Sequence, residues 1–202
     1  LINIHLPLNQ DSLIDSKKRL VFDELFLLQL KFLLRKRKIN KNLINKQLPK
    51  KKSLLKEFLN TFPFDLTKSQ VNVLNEIKKD LSNPSPMSRL LQGDVGSGKT
   101  IIAIASLLFV IEKNLQGAFM VPTEVLAEQH YKNLLKYLNP LLVSVELLTG
   151  NTSQKKRKII LSNLKNGLVD IIVGTHALFE DKVIFNSLGM VVIDEQHRFG
   201  VT

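Results

Sequence analysis

The 202-residue sequence contains no cysteine, which excludes disulfide bridges and thiolate metal centres and fits a reducing cytosol. It also lacks a long uninterrupted apolar run. The most apolar stretch, Leu20 to Leu34, is broken by Asp23, Glu24, Gln29 and Lys31 and is too short to cross a bilayer. No secretory signal is visible. The chain begins at Leu1 and ends at Thr202, directly after a motif, so it reads as a piece of a longer polypeptide and a missing leader says little. Acidic residues are scarce where basic ones gather. Residues 1–60 carry 14 Lys+Arg against 5 Asp+Glu, whereas the other 142 carry 15 against 13. That asymmetry points either to a polyanion met near the amino-terminal third or to a solvated lysine face.

Hydrophobic residues make up 44% of the chain, enough for a sizeable core in one large domain or one and a half small ones. The organising stretch is Gly93-Asp94-Val95-Gly96-Ser97-Gly98-Lys99-Thr100. It fits G-x-x-x-x-G-K-[ST], the loop that cradles phosphates. Residues 87–92 before it read as a strand, and the apolar run 101–111 after it reads as a buried helix. Strand, glycine turn and helix together aim free backbone N–H groups at a bound anion. Lys99 is expected to reach the β- and γ-phosphates, and the Thr100 hydroxyl to ligate Mg²⁺.

Residues 1–16 read as a linker, 17–38 as a helix with apolar cover on more than one face, and 39–53 as a basic connector. The run Arg35-Lys36-Arg37-Lys38 suits either a helix C-terminus or a phosphate backbone. A short helix is predicted over 54–60. Thr67 and Gln70 fit a capping box opening a helix with Val71, Leu74, Ile77 and Leu81 at helical spacing. Downstream, strands are predicted at 117–121, 143–148, 169–173 and 190–193. They alternate with a helix capped by Thr123 that runs to Leu138 and a second over 154–164, whose exposed side holds Lys155, Lys156, Arg157 and Lys158. Alternating βα units imply a parallel sheet covered on both faces, with ligands beyond the carboxyl ends of its strands. At those ends stand Pro122-Thr123, Thr149-Gly150, Gly174-Thr175 and Asp194-Glu195. Asp194, after four apolar residues, stands where a metal-holding carboxylate belongs, and Glu195 is suited to polarise the attacking water. His197 is a candidate γ-phosphate sensor.

Asp194-Glu195-Gln196-His197 resembles the DExH box of superfamily-2 helicases. LLQGDVGSGKT at 90–100, VPTEVLAEQH at 121–130, LLTG at 147–150, GTHALFE at 174–180 and VVIDEQHRFGV at 191–201 resemble the RecG family of that superfamily. So does RLVFDELFLLQL at 19–30, similar to the segment leading from that family's wedge domain into its motor. The Mfd family shares several of these features, but Ser97 and Gln196 look more like RecG; the PriA family is more distant. The resemblance implies a RecA-like P-loop NTPase lobe over 61–202, incomplete at its carboxyl end, after a basic helical linker over 1–60. It implies ATP-driven movement on branched or forked DNA that remodels stalled forks, with ATP and Mg²⁺ as cofactors. Phe64 and Gln70 would read adenine, Asp194 would hold Mg²⁺, Glu195 would be the base, and Gln196 with His197 would couple the site to the motor. Pro122, Thr123, Gly150, Thr175 and His176 would contact the DNA backbone, which needs donors and small residues rather than base-reading side chains. A second motor lobe, absent here, would supply arginine fingers, so this chain alone is expected not to turn over ATP. The resemblance further places a strand from beyond Thr202 between the P-loop strand and the Asp194 strand. It implies a monomer in a bacterial cytoplasm, at the nucleoid, or in a plastid, without a membrane. Two alternatives stay open: an Mfd-like translocase coupled to transcription, or a nucleotide-binding module that does not translocate.

Overall fold

The computed structural model describes residues 2–39, 53–63, 65–83, 85–196 and 199, and the side chains of 2, 3 and 35–39 are not among the described parts. Phe64, His197, the connector over 40–52 and the side chains of the run 35–38 therefore lie outside the described residues. Two compact units are present, one of residues 1–45 with 83–86 and one of 46–82 with 87–202.

The first unit contains α1 (Ile2–His5) and α2 (Gln10–Ile39). The linker expected over 1–16 is largely helical instead. Asn9 and Ser12 explain the early start. The Ser12 N–H donates to Asn9 Oδ1 at 2.8 Å and the Asn9 N–H to Ser12 Oγ at 3.2 Å, a reciprocal cap that opens α2 seven residues before the predicted one. Phe22, Phe26, Phe32 and the leucines between them are exposed along α2.

The second unit is an α/β lobe. In chain order it runs α3 (Leu54–Leu59), α4 (Lys68–Asp80), α5 (Lys99–Ile111), β1 (Gln116–Met120), α6 (Glu124–Leu138), β2 (Val145–Leu148), α7 (Gln154–Lys165), β3 (Ile171–Gly174) and β4 (Leu188–Ile193). The four strands form one sheet in the order β2-β3-β1-β4, every pair parallel. Side chains alternate across it as a pleat requires. Phe119, Val121, Ile171 and Val173 face a core built with Leu74, Ile77, Ile104, Leu107, Leu108, Leu134 and Leu138 of α4, α5 and α6. Ala118, Met120, Leu148 and Ile172 face a second core with Ile160 and Leu164 of α7. Helices thus cover both faces, as the βα alternation predicts.

Leu54 and Phe58 of α3 also lie in the first of these cores, and Phe58 is fully buried. The short helix read in sequence as the end of the amino-terminal segment packs with the lobe.

One predicted element does not form. Residues 87–92 make no strand and join no sheet. A strand exists only against a partner, because an isolated extended segment leaves its backbone groups to water. Arg89 anchors the segment instead. Its Nε and Nη2 donate to Asp80 Oδ2 at 2.9 and 2.7 Å and its Nη1 to Glu76 Oε2 at 2.5 Å, both on α4. The Asp80 hydrogen bond is the largest influence raising the pKa of that guanidinium above its ordinary value. β4 meanwhile pairs only with β1 among the described residues and is half-exposed, with Val191 and Ile193 open.

Candidate nucleotide site and the strand-end face

The loop before α5 takes its shape from two glycines in the left-handed region, Gly96 at φ +80° and Gly98 at φ +84°. Gly98 is also the residue before the first turn of α5. The N–H groups of that turn have no intrahelical acceptor and point out of the helix, the arrangement that binds phosphate. Lys99 Nζ donates to the Gly93 and Asp94 carbonyls at 2.6 and 2.7 Å. The ammonium is thereby held inside the loop by two oxygens that a polyphosphate can replace.

Gln70 ties this loop to α4. Its backbone N–H donates to Thr67 Oγ1 at 3.2 Å, while its Oε1 accepts from the Thr67 N–H at 2.9 Å. The other end of the same amide, Nε2, donates to the Ser97 carbonyl at 2.9 Å. The capping box forms as predicted, but it uses the Gln70 side chain and not only its backbone. Each end of that amide can make one more hydrogen bond, so an adenine contact by Gln70 is compatible with both of these.

The register aligns the strand ends. Met120 pairs with Gly174 and with Ile193, and Leu148 pairs with Gly174. Consequently Val121-Pro122-Thr123, Thr149-Gly150, Thr175-His176 and Asp194-Glu195 all leave the sheet at one edge. Asp194 is fixed from three sides. Its N–H donates to the Met120 carbonyl at 2.9 Å, its Oδ1 accepts from the Glu195 N–H at 2.9 Å, and its Oδ2 lies 3.2 Å from His130 Nε2. Glu195 stands in the left-handed region at φ +53°, a conformation that costs a side-chain-bearing residue free energy and recurs at functional sites. Burial lowers the His130 pKa below its ordinary value, opposed by the charges of Asp194 and Glu195.

Among the described residues no group of three or more His, Cys, Asp or Glu side chains could enclose a metal ion. The donors available, the Thr100 hydroxyl and the Asp194 carboxylate, are hard oxygens. They fit Mg²⁺, which takes one or two protein ligands and completes its shell with phosphates and water.

The remaining strand ends are braced to each other. Thr123 caps α6, its Oγ1 accepting from the Leu126 N–H at 3.4 Å. Beside it, Glu124 accepts from the Asn151 N–H at 3.1 Å and from the Asn151 side-chain amide, so α6 grips the turn after β2. Gly150 sits in that grip, where a Cβ would stand 3.0 Å from Glu124 Oε1. Arg157 is not on the exposed side of α7 as predicted. It turns inward to donate to Glu180 at 2.6 Å and to the Thr149 carbonyl at 3.1 Å, because the carbonyl after β2 and the acid after β3 both fall within its reach. Thr175 is buried and His176 exposed against Phe199, with ring centroids 5.1 Å apart. Arg89, His130, Asn151, Arg157 and Glu180 make these connections, and among their partners the sequence marks Asp194 and Thr149 as strand-end residues.

The family described as DEAD/DEAH box helicase matches residues 67–202. The chain is 49% identical over 198 residues to the ATP-dependent DNA helicase RecG of Synechocystis sp., covering 98% of this chain and 24% of that one. It is 50% identical over 184 residues to the RecG of Aquifex aeolicus, covering 91% and 23%. Among solved structures, RecG bound to a three-way DNA junction superposes with a TM-score of 0.81 at 43% identity, over 93% of this chain and 26% of that chain. A hypothetical ATP-dependent RNA helicase from Sulfolobus tokodaii shares the fold, with a TM-score of 0.53 at 20% identity over 73% of this chain and 42% of that one. The chain spans about a quarter of the length of the curated relatives it matches.

Proposed function

Because this chain belongs to the DEAD/DEAH box helicase family, we propose that it is part of the first motor lobe of a RecG-type, ATP-dependent DNA translocase that remodels stalled forks and recombination intermediates. The observation that carries this reading is the level strand edge. The carboxylates suited to ATP hydrolysis, Asp194 and Glu195, leave the same edge as Thr123, Gly150 and His176, so chemistry and backbone contact share one rigid sheet. In this scheme the first turn of α5 and Lys99 bind the triphosphate, and Thr100 with Asp194 holds Mg²⁺. When bound, that ion supplies charge neutralisation at the β- and γ-phosphates. Glu195 accepts the proton of the attacking water, and Gln196 with His197 passes the state of the site to the motor. Phe64 and Gln70 select adenine.

Pro122, Thr123, Gly150, Thr175 and His176 touch the sugar-phosphate backbone of branched DNA. Such contact tolerates sequence and weakens with salt. The lobe begins by Leu54, since α3 contributes to its core, and the basic α2 segment leads in from a wedge domain. A second lobe closes the ATP site, and a further strand fills the gap between residues 87–92 and β4.

In the full-length protein, Lys99→Ala is expected to abolish DNA-stimulated ATP hydrolysis while the circular dichroism spectrum stays native. Unchanged turnover would falsify the phosphate-loop assignment.

A further inference from the structure

His130 has no role in the scheme above, yet its Nε2 lies 3.2 Å from Oδ2 of the carboxylate proposed to hold Mg²⁺. It sits on α6, seven residues after Thr123, and its side chain is only 12% exposed. Phe119 packs on its ring with centroids 4.8 Å apart and planes tilted 33°, which fixes the plane of the imidazole. Its Nδ1 is buried with no hydrogen-bond partner among the described residues. A buried polar atom left unpaired costs free energy that a leucine of similar volume would avoid. What the imidazole offers in return is its other nitrogen, Nε2, 3.2 Å from Asp194 Oδ2. The opposite oxygen, Oδ1, accepts from the Glu195 N–H, so the two carboxylate oxygens face different neighbours. Groups behind a metal ligand that fix its orientation typically contribute about 10–100-fold in metal affinity or activity.

We propose that His130 is a positioning residue that ties the Asp194 carboxylate to α6, so that displacement at the Thr123 end of α6 reaches the metal position through one imidazole. This rests on the function proposed above. α6 is the element that can carry such a signal. Thr123 caps its first turn and Glu124 holds the turn after β2, so a phosphate backbone pressing on that edge bears on this helix.

Two variants of the full-length protein separate positioning from packing. His130→Phe keeps the ring against Phe119 and loses the nitrogen; His130→Gln keeps an N–H donor and loses the ring. His130→Phe is expected to raise the Mn²⁺ concentration needed for half-maximal metal loading of the ATP complex, read by electron paramagnetic resonance, by about 10-fold or more. DNA-stimulated kcat is expected to fall by a similar factor, with DNA affinity kept within about twofold. His130→Gln is expected to recover most of both losses. A His130→Phe protein with wild-type metal loading and stimulation would overturn the proposal. So would a His130→Gln protein as impaired as His130→Phe, since that outcome makes the ring alone important. A wild-type protein without DNA-stimulated turnover would instead sink the helicase reading, and this proposal with it.

Discussion

Gly98→Ala tests whether the phosphate loop and α4 form one mechanical unit. Two penalties meet at this residue. The backbone lies at φ +84°, where a residue with a Cβ pays about 1–2 kcal/mol relative to glycine. The added Cβ would also stand 2.6 Å from Gln70 Nε2, so the amide has to withdraw from the Ser97 carbonyl. Losing that hydrogen bond costs about 0.5–1.5 kcal/mol. The sum is about 1.5–3.5 kcal/mol, or about 10–300-fold in an equilibrium constant. Native-state hydrogen exchange in the full-length protein reads this locally at the Ile102 amide, which donates to the Gly98 carbonyl at 3.2 Å. Repeating the substitution in a Gln70→Ala background removes the steric partner and leaves the backbone penalty. The cost of Gly98→Ala should then shrink to about 1–2 kcal/mol, a coupling of the size found between residues in contact. Equal costs in the two backgrounds would refute the reasoning, since they would mean that Gln70 does not hold the loop.

Glu195→Gln should bind ATP normally and lose at least about 100-fold in DNA-stimulated turnover, as removal of a general base demands; single-turnover kinetics would expose a normal rate and end that assignment. Phe58→Ala should destabilise the lobe by about 3–5 kcal/mol, because Phe58 is fully buried and packs edge-on against Phe62 and Tyr137 with centroids 5.1 and 6.1 Å away. Hydrogen exchange at core amides of α5 measures it, and an unchanged opening free energy would place α3 outside the lobe.

What could be read in the sequence was what neighbours along the chain decide. Thr123 opens α6 at the predicted position, and α6 ends at Leu138 as its apolar spacing requires. The Thr67–Gln70 box likewise starts α4. All four strands of the sheet were visible as apolar runs within a residue or two of their ends. Contacts made across the fold were not visible. An apolar run at 87–92 signals strand preference but not whether a ladder partner stands beside it, so that segment was predicted as a strand and is not one. Arg157 looked like its lysine neighbours until β2 and β3 put an acid and a carbonyl on its inner side. His130 lies 64 positions before Asp194 in the sequence, and no periodicity links them. The early start of α2 is local, since Asn9 and Ser12 form its reciprocal cap, but the mixed composition of residues 1–16 reads as a linker.

The two outer strands of the sheet differ in a way that matters for handling the polypeptide. β2 carries Glu146, and a charge discourages another strand from docking on an edge. β4 runs Leu-Gly-Met-Val-Val-Ile over 188–193 with neither a charge nor a proline, and Val191 and Ile193 are each about 45% exposed. An uncharged apolar edge offers its backbone to any strand that approaches, including β4 of a second copy. A second copy docking on β4 would therefore be expected to add its strand through the backbone, with no side-chain charge to oppose it.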